Sequence, residues 1–114
     1  MEVRAISKHL PISPQKLRLV CDKVRGMDAQ EAVVVLKFMP HKGSEFVGKT
    51  LTSAIANAQN NFDLNPDNMF VSQIYAGEGP RLKRFKAGAR GRYKPRVKRT
   101  SHLWVILAER EEEN

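Results

Sequence analysis

The chain has a single cysteine, Cys21, so no intramolecular disulfide framework is possible, and such usage fits a reducing compartment. No apolar run approaches the roughly 18 residues that span a bilayer. No cationic segment followed by an apolar one opens the chain, so no secretory signal is expected and the default location is cytoplasmic or an organellar equivalent. His9, His41 and His102 are scattered and form no cluster with cysteine or carboxylates, so neither a metal nor another cofactor is expected. Asp22, Asp28, Glu31, Glu45 and Asp63 show no paired spacing, and no glycine-rich phosphate loop precedes a helix. An enzyme is therefore not expected. Lastly, no acidic residue occurs anywhere between Arg81 and Arg99.

What that stretch does contain is half of the positive charge. Arg81, Lys83, Arg84, Lys86, Arg90, Arg92, Lys94, Arg96, Lys98 and Arg99 supply ten of the twenty basic residues. Outside it, ten basic residues face twelve acidic ones, so the net charge of +8 belongs to one limb on a near-neutral body. Ten like charges packed together repel one another unless a polyanion neutralises them. Nucleic acid fits best, because each neutralised phosphate releases condensed counterions. A membrane surface fits poorly, since glycine and proline in the limb argue against a basic amphipathic helix.

The length of 114 residues suits one domain, and 41% hydrophobic content allows a small core. Glu2 to Lys8 reads as a short strand. Ser13 and Pro14 then open a first helix, with Ser13 able to cap amides and Pro14 suited to the first helical position. Leu17, Val20, Cys21 and Val24 share a face, and Gly26 is a left-handed stop. Asp28 with Glu31 resembles a capping box before a second helix, whose apolar face is Ala29, Ala32, Val33 and Leu36. A third helix spans about Ser44 to Asn61, with Val47, Leu51, Ala54, Ile55, Ala58 and Phe62 at the helical period. Strands follow at Met69 to Ala76 and His102 to Ala108, with Trp104 expected in the core.

The basic limb lies between those two strands. A structureless loop of such length within a compact domain is unusual. The simplest geometry extends both strands outward as a ribbon that turns near Gly88 to Gly91 and reaches roughly 30 Å. Charges are expected on both faces and around the tip, as if anionic material surrounds the arm. Folded RNA supplies such surroundings, and Phe85 and Tyr93 are candidates for stacking on unpaired bases. Lys16 and Arg18 on the first helix either touch RNA or form a solvated face, and Asn57 and Asn60 either contact RNA or bond local backbone. A DNA-binding regulator is disfavoured, because the second helix lacks the basic residues of a recognition helix.

Several segments then carry a family resemblance. They are Ile12-Ser13-Pro14-Gln15-Lys16-Leu17-Arg18-Leu19-Val20, Ser53-Ala54-Ile55-Ala56-Asn57-Ala58 with Asn60-Asn61, and Glu78-Gly79-Pro80. Leu82-Lys83-Arg84, Gly91-Arg92 and Lys98-Arg99-Thr100-Ser101-His102 complete the set. In this order and spacing, from Ala5 to Ala108, the chain closely resembles the bacterial-type large ribosomal subunit protein twenty-two family. The resemblance implies binding of large-subunit rRNA, a part in early subunit assembly, and a hairpin whose tip lines the nascent-peptide exit tunnel. Family tips commonly read Pro-Arg-Ala-x-Gly-Arg, where this chain has Ala87-Gly88-Ala89-Arg90-Gly91-Arg92.

Residues and resemblance together give an α+β fold: three helices packed on a small three-stranded antiparallel sheet, with a long β-hairpin arm extending from two strands. The expected body is 1–79 and 100–110, the arm 80–99, and a flexible acidic tail 111–114, all in a single domain 1–114. The expected rRNA-binding residues are Lys16, Arg18, Arg81, Lys83, Arg84, Lys86, Lys94, Arg96, Lys98 and Arg99. Gly88, Ala89, Arg90, Gly91 and Arg92 form the expected tunnel-lining tip. Expected partners are rRNA, neighbouring large-subunit proteins, and nascent peptide and macrolides at the tip, with no membrane and no independent homo-oligomer.

Overall fold

Apolar residues recur every three or four positions between Ser13 and Asn61, and this period buries one side of each of three helices. The structure is a computed structural model that describes residues 2–79, 82–87, 93–98 and 100–110, with the backbone alone in 82–87 and 93–98. Helix α1 spans Pro14–Val24, α2 Ala29–Phe38 and α3 Lys42–Asn61. Leu17, Val20, Cys21 and Val24 are fully buried on α1, as are Ala29 and Ala32 on α2 and Val47, Leu51, Ala54 and Ala58 on α3. Gly26 follows α1 with φ at 84°, the expected left-handed stop.

The helix ends differ from expectation in instructive ways. Ser13 stands at the N-cap of α1, but its side chain bonds no amide, so the fixed φ of Pro14 sets the start. Asp28 stands at the N-cap of α2 without a side-chain cap bond. Its carboxylate instead accepts from Arg110 Nε at 2.6 Å, a charge-assisted bond stronger than one to a neutral amide. Helix α3 begins at Lys42, before Ser44, whose hydroxyl donates to the Met39 and His41 carbonyls. Phe62 falls just beyond the end of α3, where the helical period no longer applies, and is 45% exposed.

Strands β1 (Glu2–Leu10), β2 (Met69–Glu78) and β5 (Ser101–Glu109) form an antiparallel sheet in the order β1-β5-β2. All three helices cover one face. That face supplies Val3, Val71, Ile74, Ala76, Leu103, Val105 and Leu107 to a core cluster shared with the helices. Ser7 and Thr50 hydroxyls meet at 2.7 Å between β1 and α3, and Ser101 Oγ donates to the Ile12 carbonyl from a fully buried position. Trp104 departs from expectation. It lies opposite Ile6 and Tyr75, on the alternate face, outside the core cluster and partly exposed. Helices on one side only leave alternate residues of even a central strand uncovered.

The free edge of β2 is closed by the segment around the end of α1. Gly26 N–H donates to Val71 O, and Val71 N–H donates to Met27 O, both at 2.9 Å. Further along, Arg25 Nη2 donates to Ile74 O at 2.7 Å and Arg18 Nε to Ala76 O at 3.2 Å. An unpaired edge would otherwise be a template for another strand.

Strands β3 (Leu82–Ala87) and β4 (Tyr93–Lys98) pair with each other as a separate antiparallel ribbon. The Cα trace measures 72 × 26 × 18 Å with a radius of gyration of 17.5 Å, against about 13 Å for a compact chain of this length. The expected hairpin arm between two body strands is therefore present.

Two predictions follow from this packing. Among the described residues, the core cluster lies in β1, α1, α2, α3, β2, β5 and their connections. Replacing 82–97 by a short glycine-containing turn should therefore leave a domain with a cooperative thermal transition. Loss of that transition, with the parent retaining it, would place the arm in the core. The second concerns Cys21. Burial pushes its thiol up from 9.0 to about 11, only partly offset by the positive charge of Arg25. A raised acid binds its proton more tightly in the folded state, so its stabilising contribution is intact below pH 9 and is lost as pH climbs towards 11. Denaturant titrations over that range should show stability falling more steeply for the parent than for Cys21→Ala.

Candidate nucleic-acid interface

The interface starts where the sheet becomes the arm. Glu78 pairs with Ser101, Gly79 N–H donates to Thr100 O at 2.9 Å, and pairing resumes at Leu82 with Lys98. Three residues separate the two pairs on one side and two on the other, so the register advances by one across the junction. A Cβ at Gly79 would stand 2.5 Å from Thr100 Oγ1, so glycine is what lets the strands close here. That gives a physical reason for the Glu78-Gly79-Pro80 segment.

Beyond the junction the register sorts the arm residues. Lys98 lies opposite Leu82, Arg96 opposite Arg84 and Lys94 opposite Lys86. The alternate pairs are Lys83 with Val97, Phe85 with Pro95 and Ala87 with Tyr93. Arg84, Lys86, Lys94, Arg96 and Lys98 thus share one face of the ribbon. The other face holds Phe85, Tyr93, Pro95 and Val97 with the single cation Lys83. Charge thus falls on both faces of the described part of the arm, five cations on one and Lys83 on the other. Arg84 with Arg96 and Lys86 with Lys94 are like charges directly opposite, an arrangement that destabilises an antiparallel pair in water.

Arg81, Arg99 and the whole expected tip (Gly88, Ala89, Arg90, Gly91 and Arg92) lie outside the described residues, as does the acidic tail at 111–114. On the body, Lys16 is exposed on α1. Arg18 is also exposed but commits its Nε to Ala76 O, so closing the β2 edge is part of its work. Asn57 donates to the Arg4 carbonyl at 3.4 Å and accepts from Asn61, a structural role that ties α3 to the distant β1 instead of to local backbone.

One feature went unseen in the sequence: the uncovered face of the sheet. Rows across β1, β5 and β2 on this face read Arg4–Ile106–Gln73 and Ile6–Trp104–Tyr75, followed by His102–Gly77 on the side of the arm. The Tyr75 and Trp104 rings stack at 5.1 Å and 17°. His102 stands edge-on to Trp104 at 5.9 Å, and His9 edge-on to His102 at 5.0 Å. At the far end Arg110 lies 4.7 Å over the Phe70 ring. The strict alternation of Leu103, Val105 and Leu107 in β5 was the signal that Trp104 faces the other way.

Among the described residues there is no group of three His, Cys, Asp or Glu side chains able to hold a metal, and no helix is long and apolar enough to cross a membrane. Comparison with known proteins gives a consistent answer. Residues 5–108 match the family described as Ribosomal protein L22p/L17e. The large ribosomal subunit protein uL22 of Carboxydothermus hydrogenoformans is 46% identical over 112 residues, covering 98% of this chain and 99% of that protein. Its namesake from Syntrophobacter fumaroxidans is 47% identical over 110 residues, 96% of this chain and 100% of that protein. The one from Thermomicrobium roseum is 48% identical over 109 residues, 96% of this chain and 92% of that protein.

Proposed function

The chain belongs to the Ribosomal protein L22p/L17e family, and from that membership we propose that it binds large-subunit rRNA mainly through its arm, assists early subunit assembly and lines the nascent-peptide exit tunnel with its tip. The protein is a structural constituent of the large ribosomal subunit, a ribonucleoprotein component of translation in the cytoplasm and not an enzyme. The observation that carries the RNA reading is the arm's cross-strand pairing of like charges, Arg84 with Arg96 and Lys86 with Lys94. Such pairs oppose the ribbon they sit in unless anions lie along it. The body has no comparable excess, so the arm sets the electrostatic part of affinity.

The division of labour within the arm follows from enclosure. Cations near the junction, Lys83, Arg84, Lys98 and Arg99, act where rRNA surrounds the ribbon. Arg90 and Arg92 belong to the tip, with one side towards the tunnel lumen, where water and salt screen exposed charge. They meet nascent peptide and macrolides more than they hold RNA.

Two measurements test this. With roughly six to ten phosphates contacted, rRNA affinity should fall about a thousandfold or more between about 50 and 200 mM salt. Replacing Lys83, Arg84, Lys98 and Arg99 together by Gln should flatten the log–log slope by several units, on a scale of nearly one per contact. An unchanged slope would move the phosphate contacts to the body. For the tip, Arg90→Ala with Arg92→Ala should leave incorporation into the large subunit nearly unchanged while altering macrolide response or stalling of particular nascent peptides. Failure of that double variant to assemble would make the tip an RNA anchor and remove the lumen assignment.

A further inference from the structure

We propose that the uncovered face of the sheet is a second RNA site, on which Tyr75 and Trp104 stack with unpaired bases while Arg4 meets the backbone phosphates. The proposal rests on the rRNA-binding reading and adds to it a base-contacting surface on the body. The arm contacts RNA mainly through charge; this face does so mainly through rings.

The first support is composition by position. Four rings run in an unbroken line, Tyr75 to Trp104 to His102 to His9, across all three strands. Tyr75 gives one ring face to the indole yet stays 45% exposed, so its other face is open to extend the stack. Ile6, 49% exposed, flanks Trp104 on the opposite side. Arg4, one row away, is exposed. Of the described residues that the register places on this face, only Glu2 is acidic, and it sits at the end away from the arm. Aromatic rings beside an exposed cation on an open sheet fit single-stranded RNA, since every base has a face to stack and every linkage a charge.

The second support is what the fold gives up to build the line. The Trp104 ring lies against Gly77, where a Cβ would stand 3.0 Å from the indole. Glycine inside a strand costs roughly 0.5–1 kcal/mol. His9 adopts φ of 59° at the irregularity between Ser7 and Leu10, a left-handed conformation that costs a non-glycine residue about 1–2 kcal/mol. Its backbone N–H donates to His102 Nδ1 at 3.2 Å, which fixes the two rings together. Neither arrangement serves the core, which lies on the other face. Unfavourable local geometry whose return is the packing of exposed rings and not of the core fits a functional surface.

The third support is continuity. The line of rings runs towards the arm, since His102 and Gly77 directly precede the junction pair Glu78 with Ser101. RNA enclosing the arm base therefore arrives beside this face without crossing neutral surface. A protein partner would find a poorer fit, because the exposed Arg4 beside the rings asks for an anion.

Trp104 is the chain's single tryptophan, so its fluorescence reports on this face alone. The full-length protein is titrated with an unstructured oligoadenylate of about a dozen nucleotides at fixed salt, and with large-subunit rRNA. Saturable quenching of Trp104 is expected with both. Tyr75→Leu should weaken oligoadenylate binding by about five- to a hundredfold, since one base–aromatic stack is worth about 1–3 kcal/mol, and Tyr75→Phe should restore it. Ultraviolet cross-linking of the unsubstituted protein should join the probe at Tyr75 or Trp104, which keeps the test valid if a variant folds poorly. Undiminished binding by Tyr75→Leu, with unchanged Trp104 fluorescence and cross-links on the arm alone, overturns the proposal. So does quenching by other large-subunit proteins in the absence of RNA. If the parent binds no rRNA at all, the proposed function itself fails; if it binds rRNA with a silent Trp104, only this second site does.

Discussion

Pairing of β2 with β5 connects everything the molecule does. On one face the ladder aligns Val71 with Leu107, Ile74 with Val105 and Ala76 with Leu103, the layer on which the helices close the core. On the other it sets Tyr75 beside Trp104. At its end it continues through Gly79 and Thr100 into the arm. Antiparallel register is strict, because slipping one residue would turn every side chain to the opposite face. The same hydrogen bonds therefore fix the core, the aromatic face and the root of the arm. β1 completes the far edge of β5, and the segment after α1, helped by Arg18 and Arg25, closes the free edge of β2. Such closure keeps the body from pairing with other strands, as a protein destined for a crowded particle requires.

Charge is distributed by the opposite logic. The body balances its ions locally: Arg25 meets Asp22, Lys49 meets Glu45 and Arg110 meets Asp28. These exposed pairs contribute little stability, about 0–1 kcal/mol each. Their effect is to leave the body with little long-range field of its own. The arm has no acids to balance it, so its field is uncompensated and directional. A near-neutral body with one strongly cationic limb is drawn to a polyanion by the limb first, which orients the encounter. An isolated two-stranded ribbon is marginal in water, and opposed like charges weaken it further. In the proposed reading the sheet fixes the arm at its root and rRNA neutralises it along its length.

The sequence disclosed what depends on local period and missed what depends on which surfaces are covered. Leu17, Val20, Cys21 and Val24 were legible because a helical face repeats regardless of tertiary context. Helix starts were less so. Ser13 and Asp28 hold the right positions, but whether a side chain caps depends on competitors, and Arg110, more than eighty residues away, takes the Asp28 carboxylate. Trp104 was misplaced because a run of apolar residues in a central strand looks buried on both sides, and only the layout of three helices on one face reveals otherwise. The arm's charge distribution was hidden for a similar reason. Pairing of Ala87 with Tyr93 settles the register, and moving the turn by one residue would set Arg84 and Lys86 opposite Val97 and Pro95, mixing cations with apolar residues on both faces. The density of charge was plain from counting; its uneven division between the faces needed the pairing.

Placing phosphate contacts and base contacts on different parts of one chain has a kinetic consequence. Charge acts at a distance of about 10 Å at ordinary salt and is indifferent to sequence, so in the proposed reading the arm captures RNA early and tolerates many initial registers. Stacking acts only at contact and needs a base freed from its own helix, so the sheet face engages late and only where the RNA has reached its final shape. In the proposed reading, the Gly79 to Thr100 hydrogen bond at the end of the sheet ties the two events to one chain. A body fixed on one side by a threaded limb and on the other by stacked bases would be held against rotation, which neither contact achieves alone.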